Sequence, residues 1–233
     1  MSMKISRSSV ITFGAVVGVA LLAFAQRVSG APAPATPLPS PAVDVHPTGK
    51  TETTVFAGGC FWGIQAVFQH TKGVLSATSG FSGGWTQKPS YEDVSSGRTG
   101  HAESVRVVFD PSEISYGQLL KIFFSVAHDP TQLNRQGPDV GTQYRSALFY
   151  MSDEQKKVAE AYIDQLAKAH VFPRPIVTEV KAFKNFFPAE AYHQNYAEEH
   201  PDQPYIVYND APKVANLKKQ FPEYYTDKLA AHE

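Results

Sequence analysis

A single cysteine, Cys60, lies in the segment Gly58-Gly59-Cys60-Phe61-Trp62-Gly63, where a strand ends and a helix begins. The chemistry open to it is that of a thiolate nucleophile. Backbone N–H groups and the macrodipole at a helix start favour the ionised form. A pKa lowered from ~8.5 to ~7 would raise the ionised fraction at pH 7 from roughly 3% to about half. Part of that gain is lost, because a less basic thiolate is a poorer nucleophile. The two preceding glycines let the chain turn tightly and let a substrate approach the backbone. A lone cysteine is most often an ordinary buried hydrophobe. Three features weigh the other way: the helix-start position, the two aromatics that follow, and an unpaired thiol in a chain that carries an export signal. Phe61 and Trp62 alone are more often core than substrate cage, yet neighbours on a helix cannot share one core face, so one of them should border the thiol.

The elements that must position this cysteine follow from hydrophobic periodicity. Thr51 to Ala57 predicts a strand, Gly58-Gly59 a break, and Cys60 a helix start. Val74 to Phe81 reads as a strand, and Gly83 to Gly100 as a long Gly/Pro/Ser loop bearing Trp85 and Tyr91, a length that suggests a site lining. Glu103 to Asp110 is a strand, and Ser115 caps a helix with Leu119, Leu120, Phe123 and Phe124 on its core face. An irregular stretch from His128 to Tyr144 leads to a strand from Ser146 to Met151. Ser152 and Gln155 then form a capping box for a helix carrying Val158, Tyr162, Leu166 and Ala169. Ile176 to Ala182 predicts a strand, Pro188 to Glu199 a short helix, and Tyr205 to Glu223 a wrapping tail with one or two helical turns after Pro212. The order suits an α+β fold, a two-layer ferredoxin-like sandwich with long active-site loops and a C-terminal wrapping tail, better than a doubly wound sheet.

At 233 residues the chain can bury one sizeable core but not two large ones. Its net charge of −1, with basic residues dispersed, removes the basis for nucleic-acid binding. With one cysteine it can form neither an intramolecular disulfide nor a Cys-rich zinc site. Lys4 and Arg7 precede an uncharged run from Val10 to Ala25 that ends in Ala23-Phe24-Ala25, which marks residues 1–30 as a signal peptide or, uncleaved, an N-terminal anchor. The run falls short of the ~20 residues of a bilayer span, which favours cleavage. Residues 31–49, rich in Pro, Ala, Thr and Ser, read as a tether unable to form a packed core, and residues 50–233 as the folded domain. The expected location is the periplasm or cell envelope.

The segment Gly59-Cys60-Phe61-Trp62-Gly63 resembles the A-type peptide methionine sulfoxide reductases. So do Gly100-His101-Ala102-Glu103, His128-Asp129-Pro130, Arg135-Gln136-Gly137 and the run from Gly141 to Ser146. The likeness spans about residues 52 to 210 with the motifs in order. It implies that Cys60 attacks the sulfur of the S epimer of methionine sulfoxide while Glu103 protonates the departing oxygen. Unprotonated oxide cannot leave, and a carboxyl near apolar rings has its pKa raised, so it can donate. Phe61 and Trp62 would bind the substrate methyl group, Tyr91 and Tyr144 the oxygen, and Asp139 would help hold the site. The resemblance implies no cofactor, a monomer, and a sulfenic acid on Cys60. Many members resolve that acid with a tail cysteine; here the aligned pair is Tyr205-Ile206, so an external thiol, a thioredoxin-like protein or a small molecule, must do so. Tyr205 is expected to line the site.

Two further classes compete. A cysteine hydrolase would pair Cys60 with His101 or His193 and orient the histidine with Asp139 or Asp129. A binding module would cage a methylated ligand among Phe61, Trp62, Tyr91 and Tyr144. A metal site is disfavoured, since His193 and His200 lack i, i+4 spacing.

Overall fold

The computed structural model describes residues 37–45 and 51–232. The expected signal segment lies outside the described residues, as do 31–36 and 46–50. Strand β1 (Glu52–Gly58) is central: Val55, Phe56 and Ala57 are fully buried, so both its faces are covered. It runs into helix α1 (Phe61–Gln69), with Cys60 as the residue before the first turn. Then come β2 (Val74–Ser82), α2 (Tyr91–Ser95), β3 (Ala102–Phe109) and α3 (Tyr116–Ile122), whose start is capped by Ser115 accepting from the Gln118 N–H. A two-residue hairpin, β4 (Arg135–Gln136) and β5 (Asp139–Val140), precedes β6 (Ser146–Tyr150) and α4 (Asp153–Lys168). The chain closes with β7 (Glu179–Ala182), β8 (Phe186–Pro188), α5 (Tyr196–Glu199) and α6 (Ala211–Gln220).

These strands form a mixed six-stranded sheet in the order β7-β6-β1-β3-β2-β8, with β7 parallel to β6 and every other pair antiparallel. The sheet therefore extends past a four-stranded sandwich on both edges. One face carries the main core, where Phe56 stacks on Phe68 of α1 at 4.7 Å and on Phe123 at 4.9 Å. Leu119 and Leu120 of α3 and Val158, Tyr162 and Leu166 of α4 close it. The alternate residues Val55, Ala57, Ala102, Ala147 and Phe149 point the other way, under Phe183 and Phe186.

Four local expectations change. The loop after β2 contains α2, whose Ser90 and Asp93 make a full capping box. The Ser152 box is half made: Ser152 accepts from the Gln155 N–H, but the Gln155 carbonyl takes the Met151 N–H and its amide donates to Thr53 of β1. The helix expected from Pro188 to Glu199 breaks at Asn195, whose φ of 55° ends one short turn and starts α5. Beyond Tyr205 the tail is more helical than expected, because a helical turn over Ile206–Asp210 runs into the ten residues of α6, which hold Pro212 near their start and bury Lys213 and Leu217.

Residues 37–45, within the segment expected as a tether, pack on the domain. Leu38 is 2% exposed within the main core. Gln165 of α4 donates to the Ser40 carbonyl at 2.9 Å and accepts from the Ala42 N–H at 2.9 Å, in the manner of a strand neighbour. The Tyr162 hydroxyl donates to the Pro39 carbonyl at 2.8 Å, and the Asp44 carboxylate accepts from Ser115 and from the Gly117 N–H. One aliphatic side chain and a set of backbone groups suffice to dock an otherwise extended segment. Leu38→Ala is expected to cost about 2–5 kcal/mol of unfolding free energy, read as a lower urea midpoint. An unchanged midpoint would mean that the segment contributes nothing to the fold.

Candidate active site

The sheet register brings two distant residues together. Glu103, second in β3 and opposite Phe81 of β2, points into the core beside the start of α1. It is 1% exposed, and its carboxylate accepts the Phe61 backbone N–H at 3.0 Å. That N–H is one of the unsatisfied donors of a helix start, so the first turn of α1 supplies a hydrogen bond to a buried acid. Cys60, one residue earlier, is 8% exposed. Phe61 is wholly buried against Phe81 and Tyr91, while Trp62 is half-buried at the edge, stacked on Tyr196 at 3.9 Å and edge-on to Tyr205 at 6.0 Å.

The remaining expected residues arrive from four other segments. Tyr91 begins α2, its N–H held by Glu190 at 3.1 Å and its ring 4.3 Å from that of His193. Tyr144 closes a short turn after β5, half-buried, with Glu103, Tyr91, Asp139 and Cys60 all acting on its ionisation. Asp139 of β5 accepts the Tyr205 hydroxyl hydrogen bond. The structure thus brings the other seven expected residues to the neighbourhood of Cys60.

The electrostatics overturn one expectation. Rather than being lowered by the helix start, the Cys60 pKa is raised well above its usual value, by burial first and then by the Glu103 and Asp210 carboxylates. The Trp62 N–H and the Lys213 ammonium pull the other way without prevailing. Glu103 is pushed up to about 8, chiefly by burial and further by Asp139 and Asp210, against the lowering from the Phe61 N–H. Burial likewise raises Tyr144 and Tyr205. At neutral pH Glu103 is therefore predominantly a neutral acid. A protonated carboxyl beside a protonated thiol is a site that delivers protons to an oxygen while sulfur attacks.

The same geometry disfavours a catalytic triad. His101 accepts the Gly84 N–H at 3.1 Å and donates to the Thr86 carbonyl at 2.8 Å, so both ring nitrogens hold the loop. Asp129 is engaged by Thr131, Gln132 and Arg174. His193 packs among the rings of Phe61, Tyr91 and Tyr192.

A sequence model described as peptide methionine sulfoxide reductase matches residues 52–225, which is the greater part of the chain. The chain belongs to this family. Relatives include peptide methionine sulfoxide reductase MsrA 2 of Mesorhizobium japonicum, 60% identical over 76% of this chain and 91% of that protein. The MsrA 2 protein of Synechocystis is 50% identical over 83% and 91%. Among solved structures, Mxr1 from Saccharomyces cerevisiae in reduced form superposes with a TM-score of 0.61 at 33% identity, covering 70% of this chain and 92% of that one. Methionine sulfoxide reductase A of Corynebacterium diphtheriae gives 0.57 at 36% identity, covering 74% and 87%. The activity is that of a peptide-methionine (S)-S-oxide reductase.

In this methionine sulfoxide reductase, sequence reasoning misses the pair Asp210 and Lys213. They are 0% and 8% exposed and 3.0 Å apart, and a methyl group built on Gly63 would lie 2.1 Å from the Asp210 carboxylate. The only advance signal is Gly63, one helical turn after Cys60, where a side chain would exclude them. Tyr196, the stacking partner of Trp62, is missed because the segment before it reads as continuous helix.

The raised Glu103 pKa has a consequence for stability. The folded chain holds this proton up to about pH 8, whereas the unfolded chain releases it near 4.5. Between those values the native state binds more protons, so its stability falls as pH rises. Urea midpoints measured from pH 5 to 9 are expected to decline less in Glu103→Gln than in wild type. Parallel declines would place the buried acid elsewhere.

Proposed function

We propose that Cys60 reduces the S epimer of methionine sulfoxide through a sulfenic acid, with Glu103 as the acid and an external thiol as the regenerating reductant. The observation that carries this reading is the buried Glu103 carboxyl, neutral at pH 7 and hydrogen-bonded to the residue that follows Cys60. As the Cys60 sulfur bonds to the sulfoxide sulfur, the sulfur–oxygen bond weakens and oxygen takes a proton from Glu103. The thiol proton returns to Glu103, the hydroxyl passes from the substrate sulfur to the Cys60 sulfur, and the sulfur–sulfur bond breaks with its electron pair on methionine, so the products are methionine and Cys60 sulfenic acid: substrate sulfur gains two electrons and cysteine sulfur loses them. In this reading Tyr91 and Tyr144, both kept un-ionised by burial, donate hydrogen bonds to the oxygen. Phe61 and Trp62 supply an apolar seat for the methyl group.

Recycling needs two more thiols. The first attacks the sulfenic acid, releasing water and leaving a mixed disulfide; the second frees Cys60. No other cysteine exists in the chain to serve as the first. A thioredoxin-like protein or a small thiol fits that role, and repair of oxidised methionine, free or in proteins, is the resulting task. The strand order β6-β1-β3-β2, with α1 and α3 as crossovers, reads as the ferredoxin-like unit on which the site is built. We further place the protein in the cell envelope, on Lys4, Arg7 and the apolar run after them.

With dithiothreitol as reductant, the full chain is expected to consume only the S epimer of a methionine sulfoxide peptide. Cys60→Ser should be inactive and Glu103→Gln slower by about 10²–10⁴-fold. For wild type, kcat should fall as pH rises through about 8, where Glu103 loses its proton, and Glu103→Gln should lack that limb. Without reductant, one turnover should leave one extra oxygen on Cys60. Consumption of the R epimer, or full activity in Cys60→Ser, would sink the mechanism. Location is tested by fractionating cells that express the full chain: recovery in the cytosol at full length contradicts export.

A further inference from the structure

Gln136 of β4 is 7% exposed, and no step of the reaction above uses it. A methyl group built on Gly59 would lie 2.5 Å from the Gln136 Cγ and 2.6 Å from its Cβ, so the stem of Gln136 rests on the backbone of the residue before Cys60. Gly59 has φ of +98°, a conformation in which any side chain would be strained. The far end of Gln136 is fixed twice: its carbonyl accepts the Asp129 N–H at 3.1 Å, and its amide donates to the Asp129 carbonyl at 3.1 Å. Asp129 is itself held, its carboxylate accepting from the Thr131 N–H at 2.9 Å and hydroxyl at 2.6 Å.

The neighbouring glycine is treated alike. A methyl group on Gly58 would lie 2.8 Å from the His128 ring, which is anchored to the Ser146 hydroxyl at 2.7 Å. Two glycines in succession have no side chains with which to fix their own position, and here two side chains of one loop lie across them. That loop also carries the far wall of the site. Gln136 pairs with Asp139 in the β4-β5 ladder, and Asp139 accepts from Tyr205. One hairpin therefore bears on the base of the cysteine and on the tail at once.

We infer that Gln136 is a positioning residue for the reaction, a buried clamp on Gly59 that fixes Cys60 relative to Asp139, Tyr205 and the bound sulfoxide. The inference rests on Cys60 as the nucleophile. Reacting atoms must be held at about 3–3.5 Å, and a displacement of about 1 Å costs on the order of 10²-fold in rate. Gly58 stays paired with Ser146 in the sheet, whereas Gly59, between the strand and α1, has the latitude for such a displacement once Gln136 no longer rests on it. Substrate binding, which depends on Phe61, Trp62 and the tyrosines, does not pass through Gln136.

The test compares Gln136→Ala, Gln136→Met and Cys60→Ser with wild type in S-epimer turnover with dithiothreitol, alongside thermal melts. Gln136→Ala removes the stem from Gly59 and should lower kcat by about 10–100-fold, with KM within twofold. Gln136→Met keeps the two methylenes on Gly59 and should retain at least about a third of wild-type kcat, although it loses the same hydrogen bonds as Gln136→Ala. A role in stability alone would make the two variants equally slow in proportion to their loss of folded protein. Equal kcat in the two variants, or a Gln136→Ala kcat within twofold of wild type, overturns the inference. Should Gln136→Ala not fold, Gln136→Met with a kcat below a tenth of wild type despite a normal melt does so as well. Activity in Cys60→Ser would instead overturn the underlying reading of the nucleophile.

Discussion

The rest of the site depends on one placement: a carboxyl group buried on β3 against the first N–H of α1. Burying a carboxyl in an apolar setting is costly if it is charged and tolerable if it is neutral and hydrogen-bonded. Glu103 takes the second course, and its proton is thereby available at neutral pH. A more exposed Glu103 would ionise at an ordinary pH and could not donate. Without the Phe61 N–H, the acid would be an unsatisfied group in a packed core. The helix start also acts on the thiol through the Trp62 N–H, but burial and the neighbouring carboxylates outweigh it, so Cys60 is not acidified by its position.

Holding that arrangement explains several features that look unrelated in the chain. β1 and β3 must be neighbours for Glu103 to reach Phe61, and the sheet order provides this. Phe61 must be fully buried to keep water from the carboxyl, and it packs against Phe81 and His193. The cost is a high resting pKa for Cys60, since the same burial penalises the thiolate and Glu103 and Asp210 repel it. A thiol that stays protonated until substrate arrives can still react if its proton has somewhere to go. In the proposed mechanism the base that receives it is the Glu103 carboxylate left after protonating the oxygen, so the site would conserve its proton through the first half-reaction.

The parts legible in the sequence were those with strong local signals. The strands around Cys60 and Glu103, the Ser115 cap and the helix carrying Tyr162 follow from periodicity and capping chemistry, which are properties of neighbouring residues. The identity of Tyr91, Tyr144, Asp139 and Tyr205 as companions of Cys60 came from a family resemblance, because no local pattern says which loops converge. What escaped was set by tertiary contact. Leu38 lies in a stretch whose composition denies it a core of its own, yet it borrows the core of α3 and α4. The break at Asn195 depends on an αL residue that composition alone does not require. The pKa of Cys60 was misjudged because the helix-start effect can be read from sequence, whereas burial and opposing carboxylates arrive through the fold.

The tail shows how a missing residue reshapes what surrounds it. In a chain without a second cysteine, the segment after Tyr205 has no need to move a thiol up to Cys60, and it can be packed. Here it is: Ile206 is 2% exposed, and α6 sets Asp210 and Lys213 against Gly63. Such a buried ion pair adds little net stability, but losing one partner leaves the other uncompensated. The pair therefore favours a single docked register of the tail over a mobile one. A docked tail keeps Tyr205 on Asp139 and edge-on to Trp62, completing the wall of the site. In the proposed mechanism, a fixed tail and an external thiol are two sides of one arrangement: a wall packed around the substrate is not built to carry a resolving group, and an outside thiol takes that part.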